Sequence, residues 1–215
     1  MYVSPNLVVG FHGCDRKIFN SVVKEGGHLE SSENTYDCLG HGKYFWEGSY
    51  ERALTWAKSS DKIQDPAVIG AFIKLGNCID LLDTEDLSKV KDTYEILCLE
   101  FDALGQKLPK NKVRVGDISF VRELDCKVIL RLQQLNNEAI ASDLELPDIK
   151  GQNLRKVQNH PEFIDSVRGM FPEGGELYSG AGFRDSNHIQ LCVVNPNCIV
   201  GYFDPIRPNP WFKKV

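Results

Sequence analysis

Two glycines followed by large side chains, Gly40-His41-Gly42 and then Lys43 to Trp46, constrain the fold of this chain most strongly. Three large residues directly after a glycine-containing bend predict a strand that starts abruptly. A helical pattern follows at once, with Ser49 at a position typical of a helix N-cap. Glycine is also used where a ligand lies against the main chain. The segment therefore predicts a strand and a helix beside a candidate binding site.

Apolar runs near both ends of the chain predict further strands. They cover residues 7–11, ending at His12-Gly13, and residues 68–75, 189–194 and 198–203. Helical periodicity covers 87–101 and 128–135, whereas turn residues dominate 136–187. Strands at both ends with helices between them predict one α+β domain over residues 1–215, with a helical and loop insertion at about 84–185.

Composition narrows the class of protein. The 215 residues carry a net charge of -5, which disfavours a general nucleic-acid binder. Seven cysteines without a CxxC pair indicate buried thiols in a reducing compartment, and they suggest no metal site. The N-terminus lacks the pattern of a signal peptide and no apolar run reaches the length of a membrane span, so we expect a cytoplasmic protein without a membrane partner.

Four segments occur in a fixed order, namely FHGCDRKIFNSVVKEG, GHGKYFWEGSYERALTWA, FIKLGN and HIQLCVVNPNCIVGYF. In this order they resemble the ADP-ribosyltransferase fold, in its poly(ADP-ribose)-polymerase-like and diphtheria-toxin-like branch. The likeness extends over about residues 7–203 and is weakest at 84–185. It implies a split β-sheet core with flanking and inserted helices, and NAD+ as co-substrate.

The resemblance also implies roles for individual residues. The catalytic positions would be His12, Tyr44 and Gln190. The main chain of Gly13 would bind the nicotinamide carboxamide, His12 would bind a ribose hydroxyl, and Tyr44 would stack on the nicotinamide ring. The full set of implied NAD+-binding residues is His12, Gly13, Cys14, Gly42, Tyr44 and Trp56.

The sequence departs from the family pattern at two positions. Gln190 stands where the family most often has glutamate, so it can bind a ribose hydroxyl but cannot act as a base. Thr55 stands where a second stacking aromatic is common, and Trp56 is adjacent. Candidates for a replacement catalytic group are Glu173, Glu176, Asp185 and His188. Arg168 and Arg184 are candidates for contact with the pyrophosphate or the acceptor.

These residues predict a mono-ADP-ribosyltransferase that modifies an intracellular macromolecule, and family analogy suggests a toxin or a defence effector. A protein acceptor is favoured. A basic strip of Lys107, Lys110, Lys112 and Arg114 leaves a nucleic-acid acceptor open. A neutralising partner protein is also left open. The alternatives are an NAD+ glycohydrolase and a catalytically silent module that binds NAD+ or ADP-ribose. A dehydrogenase is disfavoured because no GxGxxG motif follows a strand in the expected setting.

Overall fold

The computed structural model describes residues 7–114 and 119–205. The strands in these ranges are β1 (Leu7–Asp15), β2 (Lys43–Glu47), β3 (Pro66–Lys74), β4 (Cys78–Asp80), β5 (Lys112–Arg114), β6 (Ser119–Val121), β7 (Ser166–Phe171), β8 (His188–Val193) and β9 (Ile199–Phe203). The helices are α1 (Arg16–Phe19), α2 (Tyr50–Ser59), α3 (Thr84–Ala103), α4 (Glu123–Asp143) and α5 (Gly151–Gln158). A π-helical turn (Asn20–Lys24) follows α1, and a 3-10 turn (Pro196–Cys198) precedes β9.

Seven strands form one mixed sheet in the order β4-β7-β8-β2-β1-β3-β9, and β5 and β6 form a separate hairpin. The β4–β7 pair is parallel and the other pairs in the main sheet are antiparallel. Helices pack on both faces of this sheet. The predicted α+β architecture is confirmed.

The two faces of the sheet differ in what they carry. Side chains alternate between faces along each strand, and cross-strand partners share a face. The register of β2, β4, β7 and β8 therefore assigns two sets, which we call the Arg168 face (Glu47, Asp80, Arg168) and the His188 face (Tyr44, Trp46, His188, Gln190). The core on the Arg168 face contains Cys14, Phe19, Val22, Phe45, Ile69, Ile73 and Leu191. The core on the His188 face contains Leu39, Trp46, Ala53, Val68, Ile129, Val167 and Phe171.

The first strand is longer than predicted. It continues past His12-Gly13 to Asp15, because β3 pairs with it along its whole length, from Leu7 opposite Lys74 to Asp15 opposite Pro66. Asp15 then caps α1 by accepting the Lys17 backbone N–H. His12 and Gly13 therefore lie inside a paired strand.

As predicted, turns and loops make up most of residues 136–187, but the end of α4, helix α5 and strand β7 were not predicted. Helix α4 runs on to Asp143, α5 follows it, and β7 lies between β4 and β8 in the main sheet. Strand β7 has the sequence SVRGMF, in which an arginine and a glycine interrupt the apolar pattern. Arg168 is nevertheless accommodated inside the sheet because carboxylates on two other strands bind it. The segment 84–185 thus contributes a strand to the main sheet.

Membrane spans, metal-binding groups and cysteine pairing bear on the class of protein expected from the sequence. No helix within the described ranges has the length and hydrophobicity that a membrane span requires. Those same ranges contain no group of three or more side chains placed to hold a metal ion. The seven cysteines are unpaired.

Candidate active site at the β1–β2 split

Strands β1 and β2 pair over a short distance and then part. Gly10 lies opposite Glu47 and Phe11 opposite Trp46. Continuing this register would place Gly13 opposite Tyr44. Instead, Nδ1 of His12 donates a hydrogen bond to the Tyr44 carbonyl oxygen at 2.8 Å. The His12 imidazole thus takes the place that a main-chain donor of β1 would have, and the sheet is split at this point.

The split affects the main chain of Gly13. The Gly48 N–H donates to the Val9 carbonyl at 2.8 Å, so the polar groups of Val9 point toward β2. Alternate residues of a strand direct their polar groups to the same side, so those of Gly13 also point toward β2. Among the described residues, the β1–β2 ladder has no pair beyond Phe11 and Trp46. The N–H and C=O of Gly13 therefore lack a partner in that ladder.

Close packing of α2 explains why residue 13 is glycine. A Cβ atom added to Gly13 would overlap the main-chain oxygen of Ala53 in α2. Helix α2 thus lies directly over the split on the His188 face. Its Trp56 side chain is 41% exposed and packs against Trp46, with ring centroids 5.6 Å apart. Thr55 points into solvent.

His12 is half-buried, and its ring contacts Phe45 at 5.9 Å between centroids. Burial lowers the pKa of His12 below its ordinary value of 6.5. Because the Tyr44 carbonyl can only accept, Nδ1 carries the proton and Nε2 is the acceptor. His12 is therefore a neutral side chain that offers a hydrogen-bond acceptor.

Tyr44 is held at both ends. Its hydroxyl donates to the Gly40 carbonyl at 2.8 Å and accepts from the Leu39 N–H at 3.0 Å. Its half-buried ring packs against the core of the His188 face. Burial raises the pKa of Tyr44, so the phenol stays protonated. The hydroxyl is used for loop structure, which leaves the ring as the part that can contact a ligand.

The glycines before β2 have structural reasons of their own. Gly40 has a positive φ of 81°, which favours glycine. Gly42 exchanges two main-chain hydrogen bonds with Ser32, at 2.7 and 3.1 Å, so its polar groups are already satisfied. The side chain of Cys14 lies in the core on the Arg168 face, where burial raises its pKa to about 11. Neither Gly42 nor the Cys14 thiol is directed at the split.

Gln190 lies in β8 opposite Trp46 of β2 and Gly169 of β7. Its Oε1 accepts a weak hydrogen bond from Cys38 Sγ at 3.9 Å. It is half-buried on the same face as Tyr44 and two residues from His188. The structure therefore brings Gln190 and Tyr44 to one face of the sheet. The His12 side chain starts from the opposite face, opposite Ile69 and in contact with Phe45, and reaches the Tyr44 carbonyl at the split.

A polar cluster beside Gln190 was only partly predicted. Six buried side-chain N or O atoms in the described residues lack a hydrogen-bond partner, and three of them belong to neighbouring residues here, namely Trp46 Nε1, Arg52 Nε and His188 Nε2. The Trp46 and His188 rings are 6.4 Å apart, and the Arg52 guanidinium lies 5.9 Å from the Trp46 ring. Buried polar groups without partners are rare and indicate a site for water or ligand. Of the three, only His188 was a sequence candidate; the position of Trp46 two residues after Tyr44 was the available signal.

Most of the other charged candidates already form ion pairs or hydrogen bonds within the protein. Arg168 lies on the opposite face, where it binds Glu47 at 2.7 Å and Asp80 at 2.8 Å, so the structure does not bring it to the site. Glu173 forms an ion pair with Arg52. Glu176 accepts from the Gly180 N–H, and Asp185 from the Ser186 hydroxyl. Arg184 is half-buried in the loop before β8.

Three surface cavities lie along α4 rather than at the split. Their volumes are about 310, 370 and 460 Å³. The 370 Å³ cavity is mainly apolar and reaches Cys38 and Phe171, which contact Gln190 and His188. We place the candidate chemistry between the split, where the main chain of Gly13 lacks a ladder partner, and the cluster beside Gln190, where three buried side-chain atoms lack partners.

The basic strip is only partly described. Lys107, Lys110 and Lys112 are exposed, and Lys112 lies 3.8 Å from Glu123. The side chain of Arg114 falls outside the described residues. Lys112 lies in the β5–β6 hairpin, which is separate from the main sheet that contains Gln190.

Comparison of the chain with protein-family models, with curated proteins and with solved structures finds no match.

Proposed function

We propose that this chain is a mono-ADP-ribosyltransferase that cleaves NAD+ and transfers one ADP-ribose to a macromolecule. The observation that carries the proposal is the β1–β2 split. His12 holds it apart by binding the Tyr44 carbonyl, and the N–H and C=O of Gly13 face the gap. A primary carboxamide needs one donor and one acceptor, side by side, which is what a single main-chain residue supplies.

The surrounding side chains fit the rest of a nicotinamide riboside. Tyr44 flanks the gap through its main chain and has a half-buried ring, and the exposed Trp56 offers a second aromatic surface on α2. Gln190 supplies a carboxamide that can bind a ribose hydroxyl. The acceptor nitrogen Nε2 of His12 suits a second hydroxyl. These groups support binding of NAD+ in an orientation that exposes the bond between nicotinamide and ribose.

The uncharged Gln190 favours a single transfer over chain elongation. Cleavage of the glycosidic bond develops positive charge on the ribose, and a carboxylate beside it would stabilise that charge. Loss of one such aimed group typically costs about 10²–10³ in rate. We therefore expect slow release of nicotinamide, with an acceptor that is a protein in the first instance.

The test uses NAD+ labelled on the adenylate phosphate, incubated with the purified protein and a whole-cell lysate. We expect label on a macromolecule, and digestion of parallel samples with protease or nuclease identifies the polymer. Gln190→Met should lower labelling at least about 10-fold, because it removes the ribose hydrogen bond while keeping side-chain volume. Gln158→Met, at an exposed position of α5, is the matched control.

The other outcomes separate the alternatives. Free ADP-ribose without labelled macromolecule would replace the transferase with an NAD+ glycohydrolase. Bound but intact NAD+ would indicate the catalytically silent module, which the glutamine at 190 makes the main rival. No binding of NAD+ at millimolar concentration would contradict the transferase and the glycohydrolase, and would leave only a silent module that binds ADP-ribose.

A further inference from the structure

We propose that His188 Nε2 is the proton acceptor that activates the attacking group of the acceptor macromolecule, a role that Gln190 cannot fill. This inference rests on the proposed transferase function. It concerns the Trp46–Arg52–His188 cluster, which lies two residues along β8 from Gln190 and on the same face. Two residues along a strand correspond to about 7 Å, so a reacting group fits between the two side chains.

The tautomer of His188 is fixed by the main chain. Its Nδ1 lies 2.8 Å from the Ser186 carbonyl oxygen, which can only accept. Nδ1 therefore carries the proton and Nε2 carries the free lone pair. The ring is also held by stacking on Phe171, with centroids 5.8 Å apart. This is how a histidine base is oriented: one nitrogen is anchored and the other is directed at the reactant.

The three atoms of the cluster that lack partners match the chemistry of a hydroxyl group. Trp46 Nε1 and Arg52 Nε are donors without acceptors, and His188 Nε2 is an acceptor without a donor. A hydroxyl within reach of all three atoms would accept two hydrogen bonds and donate one, which matches the two donors and one acceptor of the cluster. The cluster therefore favours an acceptor that attacks through a hydroxyl, such as a serine, a threonine or a ribose.

The charges around His188 keep it neutral near pH 7. Burial lowers its pKa below 6.5, and the positive charges of Arg52 on α2 and Arg122 at the start of α4 act in the same direction. Glu173 and the bond to Ser186 oppose this shift. The rival bases are less suited, because Glu173 is bound to Arg52 and Asp185 to Ser186.

The proposed step is a displacement at C1′ of the nicotinamide ribose. The acceptor hydroxyl gives its proton to His188 Nε2 as its oxygen forms a bond to C1′ of the ribose. The bond between C1′ and the nicotinamide nitrogen breaks, and its electron pair leaves with neutral nicotinamide. His188 then returns the proton to solvent. Arg52 and Glu173, whose charges both act on His188, form an ion pair with side chains that are 20% and 30% exposed.

The experiment measures labelling of the acceptor and release of nicotinamide against pH, for the wild type, His188→Asn and His188→Ala. Asparagine can keep the bond to Ser186 but has no proton acceptor. We expect transfer to fall about 100-fold in both variants, with little change in NAD+ affinity. The wild type should lose activity as the pH falls below 6.5, and both variants should show a weaker pH dependence, the part that remains coming from His12. Added imidazole should restore transfer to His188→Ala. His28→Gln, at an exposed site, is the control.

The outcomes separate this inference from the proposed function. Thermal unfolding of each variant establishes that it is folded. An active wild type with a His188→Asn variant that keeps the same rate and pH profile would overturn the role of His188 alone. Lost activity without imidazole rescue, in a folded His188→Ala, would also contradict it. A wild type that releases no nicotinamide would overturn both the function and the inference.

Discussion

Two arginines on opposite faces of the same sheet show how differently this chain uses buried charge. Arg168 binds Glu47 through Nε and Nη2 and Asp80 through Nη1, so each of its three guanidinium nitrogens donates a hydrogen bond. Arg52 binds one carboxylate, that of Glu173, and its buried Nε has no partner. The hydrogen bonds of the Arg168 guanidinium are complete without a ligand, whereas those of the Arg52 guanidinium are not.

The difference separates structure from function. Arg168 joins three strands, β2, β4 and β7, across the Arg168 face, and Glu47 and Asp80 raise its pKa further above the ordinary value. On the His188 face, unpartnered polar atoms lie next to Gln190 and the split. A folded chain gains nothing from leaving them unpaired, so we expect water or a ligand to bind there.

The largest expected effect is on stability, at Arg168. Replacing it in Arg168→Met leaves Glu47 and Asp80 without their shared cation, and these side chains are only 21% and 29% exposed. We expect the free energy of unfolding to fall by about 2–3 kcal/mol, with turnover of the folded variant unchanged. Urea unfolding and nicotinamide release measure the two quantities. A turnover loss at constant stability would break the division between the faces.

Arg52→Met, the matched substitution on the other face, should lower turnover and leave stability almost unchanged. Arg52→Met removes one ion pair but also a buried N–H without a partner, so we expect the free energy of unfolding to change by about 1 kcal/mol or less. Turnover should fall about 10-fold or more, because a donor to the acceptor hydroxyl is lost. A destabilisation as large as that of Arg168→Met, with turnover kept, would show that Arg52 serves structure instead.

The loss of stability on acidification should be the smallest of the three expected effects. Burial lowers the pKa of His12 and His188 in the folded state, whereas in the unfolded chain both titrate near 6.5. The unfolded state therefore binds more protons below pH 6.5, and stability falls as the pH is lowered from 6.5 toward the folded-state values. Urea midpoints at pH 7.5 and 5.5 test this. His188→Asn should reduce the difference, and an unchanged difference would contradict the burial argument.

Sequence reasoning predicted the local elements that follow simple patterns. The strand at Lys43, the helix after Ser49 and the last two strands follow from apolar runs, caps and turns. Strand β7 was missed because its arginine is neutralised by partners far away in sequence, Glu47 and Asp80, which no local pattern displays. Arg52 was missed for a similar reason. Its missing hydrogen bond is visible only once α2, β2 and β8 are brought together.

The most direct test of the central claim follows the side-chain N–H signals of the two arginines and Trp46 by ¹H–¹⁵N NMR during titration with NAD+. Trp46→Phe, Arg52→Lys and Arg168→Lys assign the signals. We predict that Trp46 Nε1–H and Arg52 Nε–H shift in a saturable way, together with the Gly13 amide, while Arg168 Nε–H stays in place. Shifts confined to Arg168, or none at millimolar NAD+, would contradict the assignment of the His188 face as the site.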